Sequence, residues 1–266
     1  MPSAHVQLTQ PPHRFVHRLG AVIGAVVLLA GLSTVGSIAS ASARSTSPAT
    51  VTSVSPAAGQ TVGVVHPVTV TFSDAVGDRV ATERAIKIAP AGTSGRTSGS
   101  FTWLDDHIVE WTPAEFFPAH TPINVSVGGF TTSFQTGSSV VSVADISAYS
   151  FTVSIDGVTA RQMPASMGKP KFPTPIGRFT ALSKERNVTF DSRTIGIPLD
   201  DPEGYLIKGE YGVRVTWGGV YVHSAPWSVG SQGYANVSHG CINLSPDNAA
   251  WYFNTVRVGD PIIVQA

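Results

Sequence analysis

Charge is scarce in this chain. Only 13% of its 266 residues are Asp, Glu, Lys or Arg, about half of the ~25% usual for a globular protein. The 17 basic and 17 acidic residues cancel. A chain with no basic surplus lacks the electrostatic footprint of a nucleic-acid binder. Cysteine is scarcer still. Cys241 stands alone, so no intramolecular disulfide can staple the fold. H-E-x-x-H, C-x-x-C, C-G-[SA]-C-[WY] and Q-A-C-x-G are also missing, as are long repeats and heptads. Those absences remove the common zinc motifs, the familiar cysteine-protease signatures and coiled coils.

Hydroxyl groups supply the polarity that charge does not. There are 29 Ser and 25 Thr, with 26 Gly and 19 Pro to make turns. This composition fits a β-rich exported protein. Residues 19–43 contain no Asp, Glu, Lys, Arg or His. Arg14 and Arg18 precede them, and Ala39-Ser40-Ala41 and Ala41-Ser42-Ala43 end the run. A positive flank, a short apolar core and a small-residue end describe a signal peptide, with an uncleaved signal anchor as the alternative. Cleavage there would leave 15 basic against 17 acidic residues. Residues 44–50 (RSTSPAT) read as a linker.

Short alternating runs follow at 68–72, 85–88, 100–103, 108–111 and 123–127, separated by Gly, Pro and Asp. Their spacing predicts an antiparallel sandwich over 51–137, resembling the immunoglobulin-like modules of bacterial envelope enzymes. His66, His107 and His120 fall in this half without a motif and are expected at its surface or edges. The Ser/Gly patch at 136–139 marks a boundary, and a second β-rich domain is expected over 138–266. Its strands are expected at 140–143, 149–155, 158–163 and 262–264, with a hairpin turn at Asp156-Gly157. One segment reads as a good helix. Ser245 would cap it and Pro246 would open it, with Ala249, Ala250, Trp251, Phe253 and Val256 as its apolar face.

The unpaired cysteine is the feature that needs an explanation, since an idle thiol is a liability outside the cell. It lies in VYVHSAPWSVGSQGYANVSHGCINL, residues 220–244, with His239 two residues before it and His223 18 residues before it. A thiolate attacks acyl carbons, and an imidazole can generate it. His223 ends an apolar alternating run and is the better base. Gly240 permits the tight turn that aims N–H groups at an oxyanion. Two other readings stay open. Cys241 could be a small buried hydrophobe, or a zinc ligand together with His223 and His239.

Ser238-His239-Gly240-Cys241-Ile242-Asn243, with His223-Ser224 and 14 residues between His223 and Ser238, resembles the signature of L,D-transpeptidases with a YkuD-type catalytic domain. The resemblance covers about residues 149–266. The His-Ser-Ala-Pro-Trp run at 223–227 and the Asn243 variant resemble the actinobacterial branch, in which immunoglobulin-like modules precede the catalytic domain. The motif Thr-Leu-x-Thr-Cys of sortases is not matched.

The resemblance implies a mainly β fold with one or two short helices and a two-step acyl transfer without cofactor or metal. Cys241 would attack a donor tetrapeptide stem of peptidoglycan, and a diaminopimelate amine of an acceptor stem would resolve the thioester into a 3→3 cross-link. His223 would be the base, oriented by the Ser224 backbone or hydroxyl, and His239 and Gly240 would shape the oxyanion region. Substrate contacts would come from Tyr205, Gly218, Gly219, Ser238 and Asn243. Carbapenems would be inhibitors, and the site would be in the cell envelope, touching the membrane only through an uncleaved N-terminal segment. An L,D-carboxypeptidase using water, or a non-catalytic cell-wall binding module, are the alternatives.

Residues 198–212 read as a mobile lid or as a long hairpin connection. Gly218-Gly219 offers bare backbone to a peptide or makes a tight bend. Trp217 and Trp227 are candidate cleft walls or core residues. Phe190 stands where this branch often has methionine.

Overall fold

The computed structural model describes residues 49–266. The expected export segment and residues 44–48 of the linker lie outside them. The first half forms β1 (Val51–Ser55), β2 (Thr61–Val62), β3 (Val68–Phe72), α1 (Arg79–Ala85), β4 (Ile86–Pro90), β5 (Gly99–Trp103), β6 (Ile108–Pro113), β7 (Pro122–Val127) and β8 (Phe130–Thr136). Two four-stranded sheets result, β1-β3-β6-β5 and β2-β8-β7-β4. The period-two pattern sets their facing sides. Val68, Val70 and Phe72 point inward from β3, and Ile123, Val125 and Val127 from β7, around Trp111 and Phe134.

The pairing is not wholly antiparallel as expected. β2 runs parallel to β8, because the chain leaves the first sheet after β1 and joins the second through this two-residue strand. Helix α1 was also absent from the sequence expectation, which had a strand starting at Ala85. It buries none of its seven residues, so it has no apolar stripe to read. Its local signal is Asp78, whose side chain accepts from the Ala81 N–H at 2.9 Å.

The second half forms β9 (Val140–Asp145), β10 (Ser150–Ile155), β11 (Val158–Pro164), β12 (Gly177–Thr180), β13 (Ser183–Asp191), β14 (Leu206–Arg214), β15 (Tyr221–Ser224), β16 (Ile242–Leu244), α2 (Pro246–Thr255) and β17 (Pro261–Gln265). The sheets are β11-β10-β9-β17-β12 and β13-β14-β15-β16. The β10–β11 turn has positive φ at Asp156 and Gly157, 49° and 84°, as a two-residue hairpin of this twist requires. Between the sheets, Phe151 meets Tyr252 edge-on at 4.9 Å, packed with Met163, Met167, Ile242 and Ile262. β15 and β16 pair in parallel, which puts His223 beside Asn243.

Helix α2 differs in detail from the expected one. Ser245 is the cap residue, but its side chain makes no capping hydrogen bond. The buried residues are Ala249 and Tyr252, with Val256 just beyond. Trp251 and Phe253 pack only at the edge of the core. Tyr252 reaches inward because its hydroxyl bonds Ser142 at 3.1 Å, which satisfies its polar end.

The two halves are joined by backbone. The Gly63 N–H donates to Val258 O at 2.9 Å, and the Val65 N–H to Gly259 O at 2.8 Å. A Cβ on Gly63 would lie 2.1 Å from the Asp260 N. His66 packs on Gly259 and is half-buried, so it belongs to this junction rather than to the free surface. His107 and His120 do lie at the surface, paired with Asp106 and Asp156.

Candidate active site

Three segments converge on the end of β15 and β16. Residues 165–176 run irregularly past the Ser-His-Gly-Cys turn and are tied to it by bridges from Ser166 to Asn243 and from Gly168 to Ser238. Thr174 is 2% exposed. Its hydroxyl accepts from the Gly168 N–H at 2.8 Å and donates to Gly240 O at 2.9 Å. Ser238 adds a local clasp, donating to Cys241 O at 2.7 Å and accepting from the Gly240 N–H at 3.1 Å. Gly240 sits at φ +117°, a conformation that side-chain-bearing residues rarely adopt.

These elements enclose a cavity of about 260 Å³ lined by Phe190, Tyr205, His223, Trp227, His239 and Cys241 among others. Cys241 is half-buried, and its Sγ lies 3.7 Å from Gly219 O. Burial pushes the thiol up to about 11, opposed by the Tyr221 backbone.

His223 is 3% exposed, and its Nδ1 lies 2.8 Å from Ser224 O. A carbonyl only accepts, so Nδ1 carries the proton and Nε2 keeps the lone pair. Burial lowers its pKa to about 4, against the Ser224 carbonyl and the Asn243 amide beside the ring. The resting pair at neutral pH is therefore a thiol and a neutral imidazole. The orienting group is the Ser224 carbonyl, and the hydroxyl expected as an alternative takes no part in this bond. Phe190 closes the cavity over His223, ring to ring at 4.3 Å. Asn243 Nδ2 donates to Ser228 Oγ at 3.1 Å, while no hydrogen bond among the described residues is assigned to its buried Oδ1.

His239 is committed elsewhere. Its ring lies 4.8 Å from Phe172 and 5.0 Å from Tyr205. Its Nε2 bonds Glu203 Oε2 at 2.8 Å, and Glu203 also pairs with Lys169. Neither residue was singled out by sequence reasoning; charges in a loop gave no signal of their own. Through this bond His239 joins the loop that carries Glu203 to the Ser-His-Gly-Cys turn. The loop expected at 198–212 is shorter. Residues 198–205 lie in the β13–β14 connection, held at its base by buried Ser192, whose Oγ accepts from the Tyr205 N–H at 3.0 Å, and residues 206–212 belong to β14.

The glycine pair makes the β14–β15 turn, with Gly219 at φ +98° and its N–H on Thr216 O at 3.2 Å. Gly219 reaches the thiol through its carbonyl; Gly218 does not line the cavity. Trp227 lines the cavity, whereas Trp217 is 76% exposed on the hairpin and walls nothing. The zinc alternative is not assembled. Among the described residues, ligand atoms gather only at exposed Asp105 and Asp106 with half-buried His107.

A thiol and a tautomer-fixed imidazole in one partly closed cavity, on a two-sheet β scaffold, define an acyl-transfer centre of the thiol–imidazole class. The L,D-transpeptidase catalytic domain family matches residues 139–264, and a bacterial Ig domain family matches residues 33–128. L,D-transpeptidase 1 of Mycobacterium tuberculosis is 56% identical over 252 residues, covering 94% of this chain and 98% of that protein. A solved L,D-transpeptidase from Mycobacterium smegmatis is 66% identical with a TM-score of 0.79, covering 83% of this chain and all of that one. The structure of L,D-transpeptidase LdtMt1 in complex with imipenem is 59% identical with a TM-score of 0.75, covering 82% and 100%. The chain belongs to the L,D-transpeptidase family and is an acyltransferase with an N-terminal Ig-like domain.

Proposed function

We propose that this enzyme cross-links peptidoglycan in the cell envelope, outside the cytoplasmic membrane, through a Cys241 thioester. The observation that carries the residue roles is the His223–Ser224 bond, which leaves Nε2 as the free base in the cavity that holds the thiol. His223 takes the thiol proton as sulfur attacks the carbonyl of the third residue of a donor tetrapeptide stem. It returns that proton to the departing D-alanine amine. A neutral starting pair makes proton transfer part of the attack rather than a prior step. The backbone around Gly240 is the candidate oxyanion site. Asn243 lines the cavity beside His223 and is a candidate substrate contact. Tyr205 and Trp227 supply apolar walls, and Gly219 offers its backbone beside the sulfur.

A diaminopimelate amine of a second stem then forms the amide and releases Cys241, giving a 3→3 link. We assign residues 51–137 to an Ig-like module that carries the catalytic domain, 138–266. Because a relative binds imipenem, carbapenems are proposed to acylate Cys241. The test is muropeptide mass spectrometry after incubation with a tetrapeptide stem, together with the intact mass of the protein after carbapenem. A cross-linked product and an adduct absent from Cys241→Ala are expected. Tripeptide as the sole product would establish the carboxypeptidase instead.

A further inference from the structure

We propose that Glu203 binds the positively charged amine of the acceptor stem, and so selects an amine over water in the second half-reaction. This rests on the transpeptidase reading above. Among the described residues lining the cavity, Glu203 alone carries a formal charge, the two histidines aside. Its carboxylate is held from one side only. Lys169 Nζ and His239 Nε2 both bond Oε2, and no hydrogen bond among the described residues uses Oε1. The hydrogen bond from Lys169, with His239 adding to it, holds the carboxyl below its usual range, so it is an anion under working conditions. A carboxylate fixed through Oε2 by Lys169 and His239, with Oε1 free of hydrogen bonds among the described residues and in the cavity that holds the thiol, is a preorganised seat for an ammonium group.

The chemistry needs such a seat. A primary amine of ordinary basicity arrives protonated, and the rest of the wall is neutral and partly apolar. Water needs no such seat, so the anion discriminates between the two nucleophiles. Once the amine has given its extra proton to solvent, its nitrogen forms the C–N bond as the C–S bond breaks. The second proton passes through His223 to the sulfur, which restores the thiol. Glu203 neither gains nor loses a proton in this sequence.

The test uses the full chain with the thioester preformed from a tetrapeptide donor. Two nucleophiles are titrated against it, an acceptor stem with a side-chain amine, and hydroxylamine, which is uncharged at neutral pH. Glu203→Gln is expected to raise the half-saturating concentration of the amine acceptor about tenfold or more and to shift product toward hydrolysis. Its effects on hydroxylamine and on thioester formation should be several-fold smaller. Equal effects on both nucleophiles, or none on either, overturn the proposal. Lys169→Met breaks the lid contact but keeps the carboxylate, so amine half-saturation should not rise. A rise matching that of Glu203→Gln would mean that Glu203 acts only by holding the lid, which also overturns it. A wild-type protein that forms no thioester at Cys241 sinks the transpeptidase reading, and this proposal with it.

Discussion

His223 Nδ1 donates to the carbonyl of its own neighbour, Ser224, at 2.8 Å. The partner is backbone, so the side chain at 224 is free to change. Ser224→Ala is expected to keep thioester formation within a few-fold of wild type. His223→Ala should slow it by about 10²–10⁴. Stopped-flow acylation by a carbapenem reads both. A large loss in Ser224→Ala would return the orienting role to the hydroxyl.

The pH profile follows from burial of the same pair. His223 titrates near 4 and Cys241 near 11. Below about 4 the imidazole is protonated and accepts nothing. Above that value the base is ready, and the thiol stays protonated through the neutral range. Acylation should therefore rise through the acid limb and stay flat across neutrality. Thiolate absorbance should be absent at neutral pH. A thiolate already present below neutrality would show that the resting state is an ion pair.

Thr174 holds the turn that carries Cys241, with one bond to Gly168 and one to Gly240. Thr174→Val keeps the volume but leaves both buried groups unmatched. A loss of about 1–3 kcal/mol is expected in chemical denaturation, with a fall in the acylation rate. The methyl of Gly240→Ala would make only ordinary van der Waals contact, with Pro173 O the nearest atom at 3.8 Å. Its penalty is therefore conformational, of order 1–3 kcal/mol, and the two variants together would separate bond loss from backbone strain.

Asp260 is fully buried where the two halves meet. Burial raises its pKa to about 7, opposed by the Arg257 backbone and charge and by the Val64 and Val140 backbones. The folded state thus holds a proton that the unfolded chain releases above the ordinary carboxyl value of 3.8. That stabilisation is complete below 3.8 and is lost as pH rises through about 7. Asp260→Asn keeps the acceptor for the Arg257 N–H and removes the titration. Its Tm should exceed wild type above neutral pH, with the advantage shrinking as the solution is acidified. A constant gap across pH would refute the assignment.

The parts of the site legible in the sequence were those carried by contiguous residues. The Ser-His-Gly-Cys run and the spaced His223 were readable because reactive side chains next to glycine form a dense local pattern. Strands such as β3 and β7 were readable because burying one face imposes a period of two. Helix α1 was not, because it buries nothing. The parallel β2–β8 pair was not, because pairing direction depends on where the chain goes between strands.

From the sequence alone came the β-rich class, the family resemblance, the lone cysteine and the expectation that His223 rather than His239 is its base. Tertiary structure alone decided how those residues are used. It gave His223 a backbone partner and so a tautomer, and it joined His239 to Glu203. It also set Lys169 and Thr174 against a turn about 70 residues further along the chain. The physical reason is that a proton's position and a group's charge depend on what surrounds it in space. Desolvation and hydrogen-bond partners are fixed only when segments distant in sequence pack together.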